Sequence, residues 1–158
     1  MSGGRTRVEA SVEVEAPPEG VWEVTSDPAN LPSWERHIEH VDLPREGLGR
    51  DARYTVVMRF MSVRARVRAE VLEWEPPWLG KIKLSGPLDA VVTTSIASLP
   101  FGRSVLRHEV DYRFRGLLGT FAAKALAAVG GAQIALRRGA LAQKRQAERS
   151  ESARRRHR

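Results

Sequence analysis

The chain has no cysteine, which excludes a disulfide framework and any thiolate metal site and fits a reducing compartment. It also lacks long apolar runs: no window reaches the length of a membrane span without meeting charge. Its first ten residues, MSGGRTRVEA, contain nothing like the apolar centre of a secretory leader. Together these absences predict a cytoplasmic protein without a transmembrane segment. Internal repeats are missing, and the stretch Gly47–Tyr54 (GLGRDARY) is a hairpin turn rather than a GxGxxG phosphate loop. No cofactor is expected. His37 and His40 are closely spaced, but three residues apart on a strand they would face opposite ways. Glu35 and Glu39 do not repair that geometry, so no metal site is predicted.

The 158 residues fit one domain with a single core. The net charge of +7 raises the question of nucleic acid, and its location answers it. Between Lys144 and Arg158, seven basic side chains face only Glu148 and Glu151, a net of +5 that leaves +2 for the rest. A block of like charge at a terminus is ordinarily solvated and disordered. We therefore expect a disordered basic tail, 148–158, following a domain at 1–147. Such a tail suits an acidic partner or a peripheral membrane contact, and no specific nucleic-acid partner is expected.

What is present is alternation. Arg7–Glu15 places Val8, Ala10, Val12 and Val14 on one face and charged or hydroxyl side chains on the other, the period of a half-buried strand. Pro17-Pro18 then opens a short helix bearing Val21, Trp22 and Val24. Asp27-Pro28 is an N-cap followed by a proline at the first turn of a second helix, which ends near Trp34. A short strand at 38–43 and a glycine-containing turn lead into a meander. Tyr54, Val56, Met58 and Phe60 share one face of the next strand. Val63, Ala65, Val67, Ala69 and Val71 share one face of the strand after it, opposite Arg64, Arg66 and Arg68. The parity slips at Leu72 and Trp74, which predicts a β-bulge near Val71-Leu72. Further strands are read at 80–85, 89–99 and 104–115, the last with Leu106, His108, Val110, Tyr112 and Phe114 inward. A single helix from about Leu117 to Gln146 closes the chain.

Three segments carry a resemblance to a known family. The opening VEVEAPPEGVWEVTSDPANLPSW, with Ala16-Pro17, Val21-Trp22, Asp27-Pro28, Leu31-Pro32 and Trp34, resembles the polyketide cyclase/dehydrase and lipid-transport superfamily, the START-like or SRPBCC group. So do Glu73-Trp74-Glu75-Pro76-Pro77, at the end of a strand, and HEVDYRF, His108–Phe114, before a long helix. The resemblance implies an α+β helix-grip fold: a curved antiparallel sheet of about six to seven strands wrapped around a long C-terminal helix, with two short helices after the first strand. It also implies an apolar tunnel between sheet and helix. The small residues of the closing segment agree independently, since Ala122, Ala125, Ala128, Gly130, Gly131, Ala132 and Ala135 leave room where larger side chains would fill it. Two adjacent glycines cost a helix roughly 1 kcal/mol each and permit a kink; close packing of helix on sheet is the competing explanation.

The residues then divide into roles. Trp34, Tyr54, Met58, Phe60, Thr94, His108 and Tyr112 are the candidate ligand-lining set, and Trp22 packs the first helix on the sheet. His108 and Tyr54 are the candidate catalytic groups: an inward imidazole can move a proton near neutral pH, and a phenol can hydrogen-bond a carbonyl. A satisfied core histidine is the competing reading. Thr94 and Ser104 are inward hydroxyls without an activating partner. Arg64, Arg66 and Arg68 form a solvated outer stripe, because burying three unpaired guanidiniums is prohibitive. Aromatase/cyclases of the superfamily use inward Arg and Tyr, whereas here the comparable second strand offers Ile38, which counts against aromatase chemistry. The chain thus reads as a binder of a hydrophobic small molecule (lipid, isoprenoid, aromatic or polyketide-like). A polyketide cyclase/dehydrase-type enzyme using the same tunnel is the alternative, and an interaction module acting through its basic tail a weaker one.

Overall fold

A computed structural model describes residues 5–60 and 62–158. Seven strands form one antiparallel sheet: β1 (Thr6–Val14), β2 (Ile38–Asp42), β3 (Arg53–Phe60), β4 (Val63–Glu75), β5 (Leu79–Ser85), β6 (Leu88–Leu99) and β7 (Arg103–Phe114). Their spatial order is β1-β7-β6-β5-β4-β3-β2. The meander from β2 to β7 is thus laid down in sequence order, and β1 joins the far edge beside β7. The sheet is open and curved, and β1 and β2, consecutive in the chain, occupy its two edges.

The connection between those edges is helical. In α1 (Pro18–Thr25) a proline begins the helix, and Gly20, Val21 and Val24 are buried. A single 3-10 turn, Pro28–Asn30, follows, capped by Asp27, whose carboxylate accepts the Ala29 backbone N–H at 3.0 Å. The one-turn helix α2 (Leu31–Trp34) then delivers the chain to β2.

Alternation sets the two faces of the sheet. On β4, Ala65, Val67, Ala69 and Val71 are buried while Arg64, Arg66 and Arg68 are exposed, as the periodicity predicts. Arg64 pairs with Glu39 at 2.7 Å across the outer face. The predicted slip is also there: Val71 pairs Ile82 and Glu73 pairs Lys81, so the register shifts across Leu72. Beyond the bulge, Trp74 meets Trp22 edge to face at 4.9 Å, which anchors α1 on the sheet.

The closing segment departs from expectation. Instead of one helix there are two, α3 (Gly116–Ala128) and α4 (Ala132–Arg156), bent by 70° at the intervening break. Gly130 and Gly131 have φ of 101° and 94°, a left-handed backbone that an α-helix does not contain and that favours glycine. The basic tail is described as helix. The structure carries α4 through to Arg156, and residues 148–155 lie within it. The reason is amphipathicity: Ala140, Gln143, Ala147 and Glu151 fall on one stripe and are buried, and Arg154 pairs with Glu23 of α1. Local charge density predicted repulsion, but the docked face of the helix prevails.

Two groups of buried side chains make up the core. One, Val14, Ala16, Val21, Ile96, Leu106, Ala140 and their neighbours, lies between α1, α4 and the β1/β7 edge; the other, Tyr54, Val56, Val67, Ala69 and Val71, lies on β3 and β4. They are separate, and an internal cavity draws its walls from both.

Candidate functional site

The cavity has a volume of about 330 Å³ and is walled mainly by apolar side chains. The period-2 pattern of the strands builds most of it. Tyr54, Val56, Met58 and Phe60 come from β3; Val92 and Thr94 from β6; His108, Val110, Tyr112 and Phe114 from β7. Trp34 enters from α2, and its indole N–H donates to Gln146 Oε1 at 3.0 Å, which ties α2 to α4. Opposite the sheet, α3 contributes Ala122 and Leu126. α4 contributes Ala132, Ala135, Leu136, Gly139, Ala140 and Gln143, a stripe at helical spacing in which four of the six residues are Ala or Gly. The seven side chains expected to surround a ligand are therefore all in one wall system.

A second, more open cleft of about 550 Å³ lies by the α3–α4 joint and is lined in part by Thr6, Arg113, Arg115 and Gly131. Tyr112, Phe114, Leu126 and Ala132 line both spaces. The interior cavity is the candidate site, because its walls are apolar and it is the space the two core groups leave between them.

His108 is the most constrained polar group of the wall. Its Nε2 lies 2.6 Å from Gln143 Oε1 and its Nδ1 2.8 Å from Thr94 Oγ1. The Gln143 carbonyl can only accept, so Nε2 carries the proton and Nδ1 accepts from the Thr94 hydroxyl. Thr94 and His108 are direct cross-strand partners, which explains the first contact. The second bridges the sheet to α4. Burial pushes the His108 pKa below its ordinary value, opposed in part by the hydrogen bond to Gln143, so the ring is held neutral. Both nitrogens are engaged, and a proton-transfer role for His108 would require Thr94 or Gln143 to let go.

Tyr54 is different. Desolvation pushes its phenol up to about 12, so it stays protonated and is suited to donating a hydrogen bond rather than to acting as a base. Ser104 is not in the cavity wall: its hydroxyl donates to the Ala16 carbonyl at 2.7 Å and is fully buried.

Two features of the wall were not legible from the strand pattern. Gln143 is the one polar residue in the small-residue stripe of α4, and that interruption was the available signal. Glu35 and His37 also line the cavity, with Glu35 Oε1 2.7 Å from His37 Nδ1. Strand parity misses them because β2 begins only at Ile38 and its register shifts between Ile38 and His40. His40 is exposed and pairs with Asp42 at 2.7 Å, away from His37. Among the described residues no group of three or more His, Asp or Glu side chains is arranged to hold a metal ion.

The family model described as polyketide cyclase / dehydrase and lipid transport matches residues 5–147. The chain belongs to this family. Its fold recurs in solved structures of low sequence identity. The Zhui aromatase/cyclase of Streptomyces sp. superposes with a TM-score of 0.72 at 20% identity, over 92% of this chain and 94% of that one. A norcoclaurine synthase point mutant of Thalictrum flavum, solved with a transition-state analogue, gives 0.66 at 14% identity, over 96% and 99%. A START superfamily protein of Mycobacterium smegmatis gives 0.59 at 16%, over 85% and 95%. At these identities the likeness shows the helix-grip fold and nothing finer. No curated protein matches the chain in sequence. Among the described residues, no single helix of this family member is long and apolar enough to cross a membrane.

Proposed function

We propose that this family member binds a hydrophobic small molecule, of lipid, isoprenoid, aromatic or polyketide-like character, in the cavity between the sheet and α2, α3 and α4. The observation that carries this reading is the space itself. Apolar walls around about 330 Å³ forfeit several kcal/mol of packing, a cost that a stored or transferred ligand offsets. Tyr54 supplies a directional donor in an otherwise apolar wall, suited to a carbonyl or hydroxyl oxygen at one end of the ligand.

A cyclase/dehydrase-type activity is the second reading, and the polar groups of the wall favour it. Tyr54 would stabilise developing negative charge on an oxygen, His108 would move a proton once Thr94 or Gln143 releases it, and the cavity shape would fold the substrate. Action through the basic tail has less support. Lys144 is engaged with Glu148 at 2.5 Å, Arg155 with Glu151 at 3.3 Å, and Arg154 with Glu23.

The test is native mass spectrometry of the protein purified from its own host, with extraction of any co-purifying compound. A stoichiometric apolar species is the expected result. A protein that arrives empty and takes up no neutral apolar probe in titration would overturn the binding reading. If the extracted compound is turned over, the His108→Ala variant should be at least tenfold slower. Turnover at the wild-type rate would remove His108 from the chemistry.

A further inference from the structure

Glu35 and His37 form a paired side-chain unit in the cavity wall, hydrogen-bonded to neither Tyr54 nor His108. The pair is built with some care. Glu35 Oε1 accepts the His37 backbone N–H at 3.0 Å and lies 2.7 Å from the ring Nδ1. The imidazole stacks on Phe60, with centroids 5.1 Å apart and planes at 29°. The His37 carbonyl accepts the Arg59 backbone N–H at 2.7 Å, which fastens the segment to β3. Two contacts thus fix the ring, and two backbone hydrogen bonds fix the segment that carries it. Donation from Nδ1–H to the carboxylate selects the tautomer that leaves the lone pair on Nε2, and among the described residues no group hydrogen-bonds Nε2. His108 is the reverse case, with both nitrogens consumed.

We propose that His37 is a general base for ligands held in the cavity and that Glu35 is its positioning residue. The chemical class this fits is an apolar compound with a C–H bond adjacent to a carbonyl. Nε2 takes the proton as that C–H bond breaks, and the electron pair moves through the new C=C bond onto the carbonyl oxygen to give an enolate. The Glu35 carboxylate balances the imidazolium that results. Where the ligand also carries a C=C conjugated with that enolate, the proton returns from Nε2 to the far carbon of the dienolate, giving isomerisation. Where it carries a hydroxyl β to the carbonyl, the enolate electron pair re-forms the carbonyl and a C=C as the β C–O bond breaks, and the proton leaves with the hydroxide as water. Neither course needs an oxidant or reductant. The inference rests on the cavity being the ligand site, and its test separates the two.

The probe is a nitrobenzisoxazole, an apolar bicycle. A base removes its ring C–H while the N–O bond breaks, releasing a coloured cyanonitrophenolate. Binding is followed separately with the neutral fluorophore N-phenyl-1-naphthylamine. The wild-type protein should open the probe faster than an equal concentration of free imidazole. His37→Ala should lower kcat by about 100-fold with KM little changed, and added imidazole should restore part of the loss, which repair of a merely structural defect would not do. Glu35→Gln should lower kcat by about tenfold at unchanged KM. If the fluorophore binds but the wild type is no faster than free imidazole, or His37→Ala is as active, the base assignment is wrong and the cavity reading survives. If the fluorophore does not bind, both fall.

Discussion

His108 holds the sheet and the closing helix together through a ring that must stay uncharged. Its Nε2–H is given to Gln143 on α4, and its Nδ1 takes the hydroxyl proton of Thr94 from the neighbouring strand. Protonation would place a second N–H against the Thr94 oxygen and an unpaired cation in an apolar wall. The linkage follows from the sign of the shift. Burial lowers the folded-state pKa below the ordinary 6.5, so the unfolded chain binds the proton first as pH falls. The contribution to stability is complete above about pH 6.5 and is lost as pH falls toward the folded value. Within that window the slope approaches about 1.4 kcal/mol per pH unit for one proton. Denaturant unfolding measured at intervals below pH 6.5 should show this loss in the wild type, and His108→Gln should flatten it. A variant with the same pH slope as the wild type would show that other groups carry the acid sensitivity. Sequence pattern placed His108 inward by strand parity alone. Its engagement with Gln143 was not legible, because that contact joins residues 35 positions apart on elements whose mutual rotation no local pattern sets.

At the scale of elements, the strands were the legible part and the closing helix was not. Period-2 alternation identified the inward sets of β1, β3, β4 and β7, and the parity slip at Leu72 located the bulge, because each is a local property of the chain. Helical propensity is equally local, yet it extends through Ala127–Ala135 without showing whether two glycines are tolerated inside a helix or end one. Backbone geometry decides the matter: Gly130 adopts φ 101° and Gly131 φ 94°, and α4 sets off at 70° to α3. A side chain at Gly130 is therefore strained, and an ideal Cβ there would also approach Ile134 Cδ1 to 2.8 Å. The Ile134 terminus can rotate away, so the backbone term dominates. Gly130→Ala should cost about 1–2 kcal/mol, seen as a fall of about 3–6 °C in Tm by circular dichroism. An unchanged Tm would mean that the break does not depend on the left-handed backbone. The acidic and basic residues after Ala147 suggest a solvated segment by their charge, while Ala147 and Glu151 share the buried stripe of α4, a relation between distant elements that local charge does not carry.

For the whole molecule, the cavity is a compromise between packing and capacity, and one position tests it. Gly139 lies in the first third of α4, on the cavity-facing stripe between Leu136 and Gln143, and a Cβ built there meets nothing within 4 Å. Glycine inside a helix costs about 1 kcal/mol relative to alanine, so the position trades helix stability for room. Gly139→Leu should recover propensity and fill part of the apolar space with methyl and methylene groups worth about 0.8 kcal/mol each when buried. The ligand-free variant should unfold at a higher temperature than the ligand-free wild type. It should also lose most of its affinity for a neutral apolar probe, because the added side chain occupies the volume the probe needs. The two readouts move in opposite directions only if the space is a functional cavity. A variant that gains stability and still binds the probe with wild-type affinity would place the ligand elsewhere, with the open cleft beside the α3–α4 joint as the next position to test. One that loses stability would show the wall to be packed too tightly for a leucine, and the hollow between the two core groups to be smaller in solution than its walls suggest.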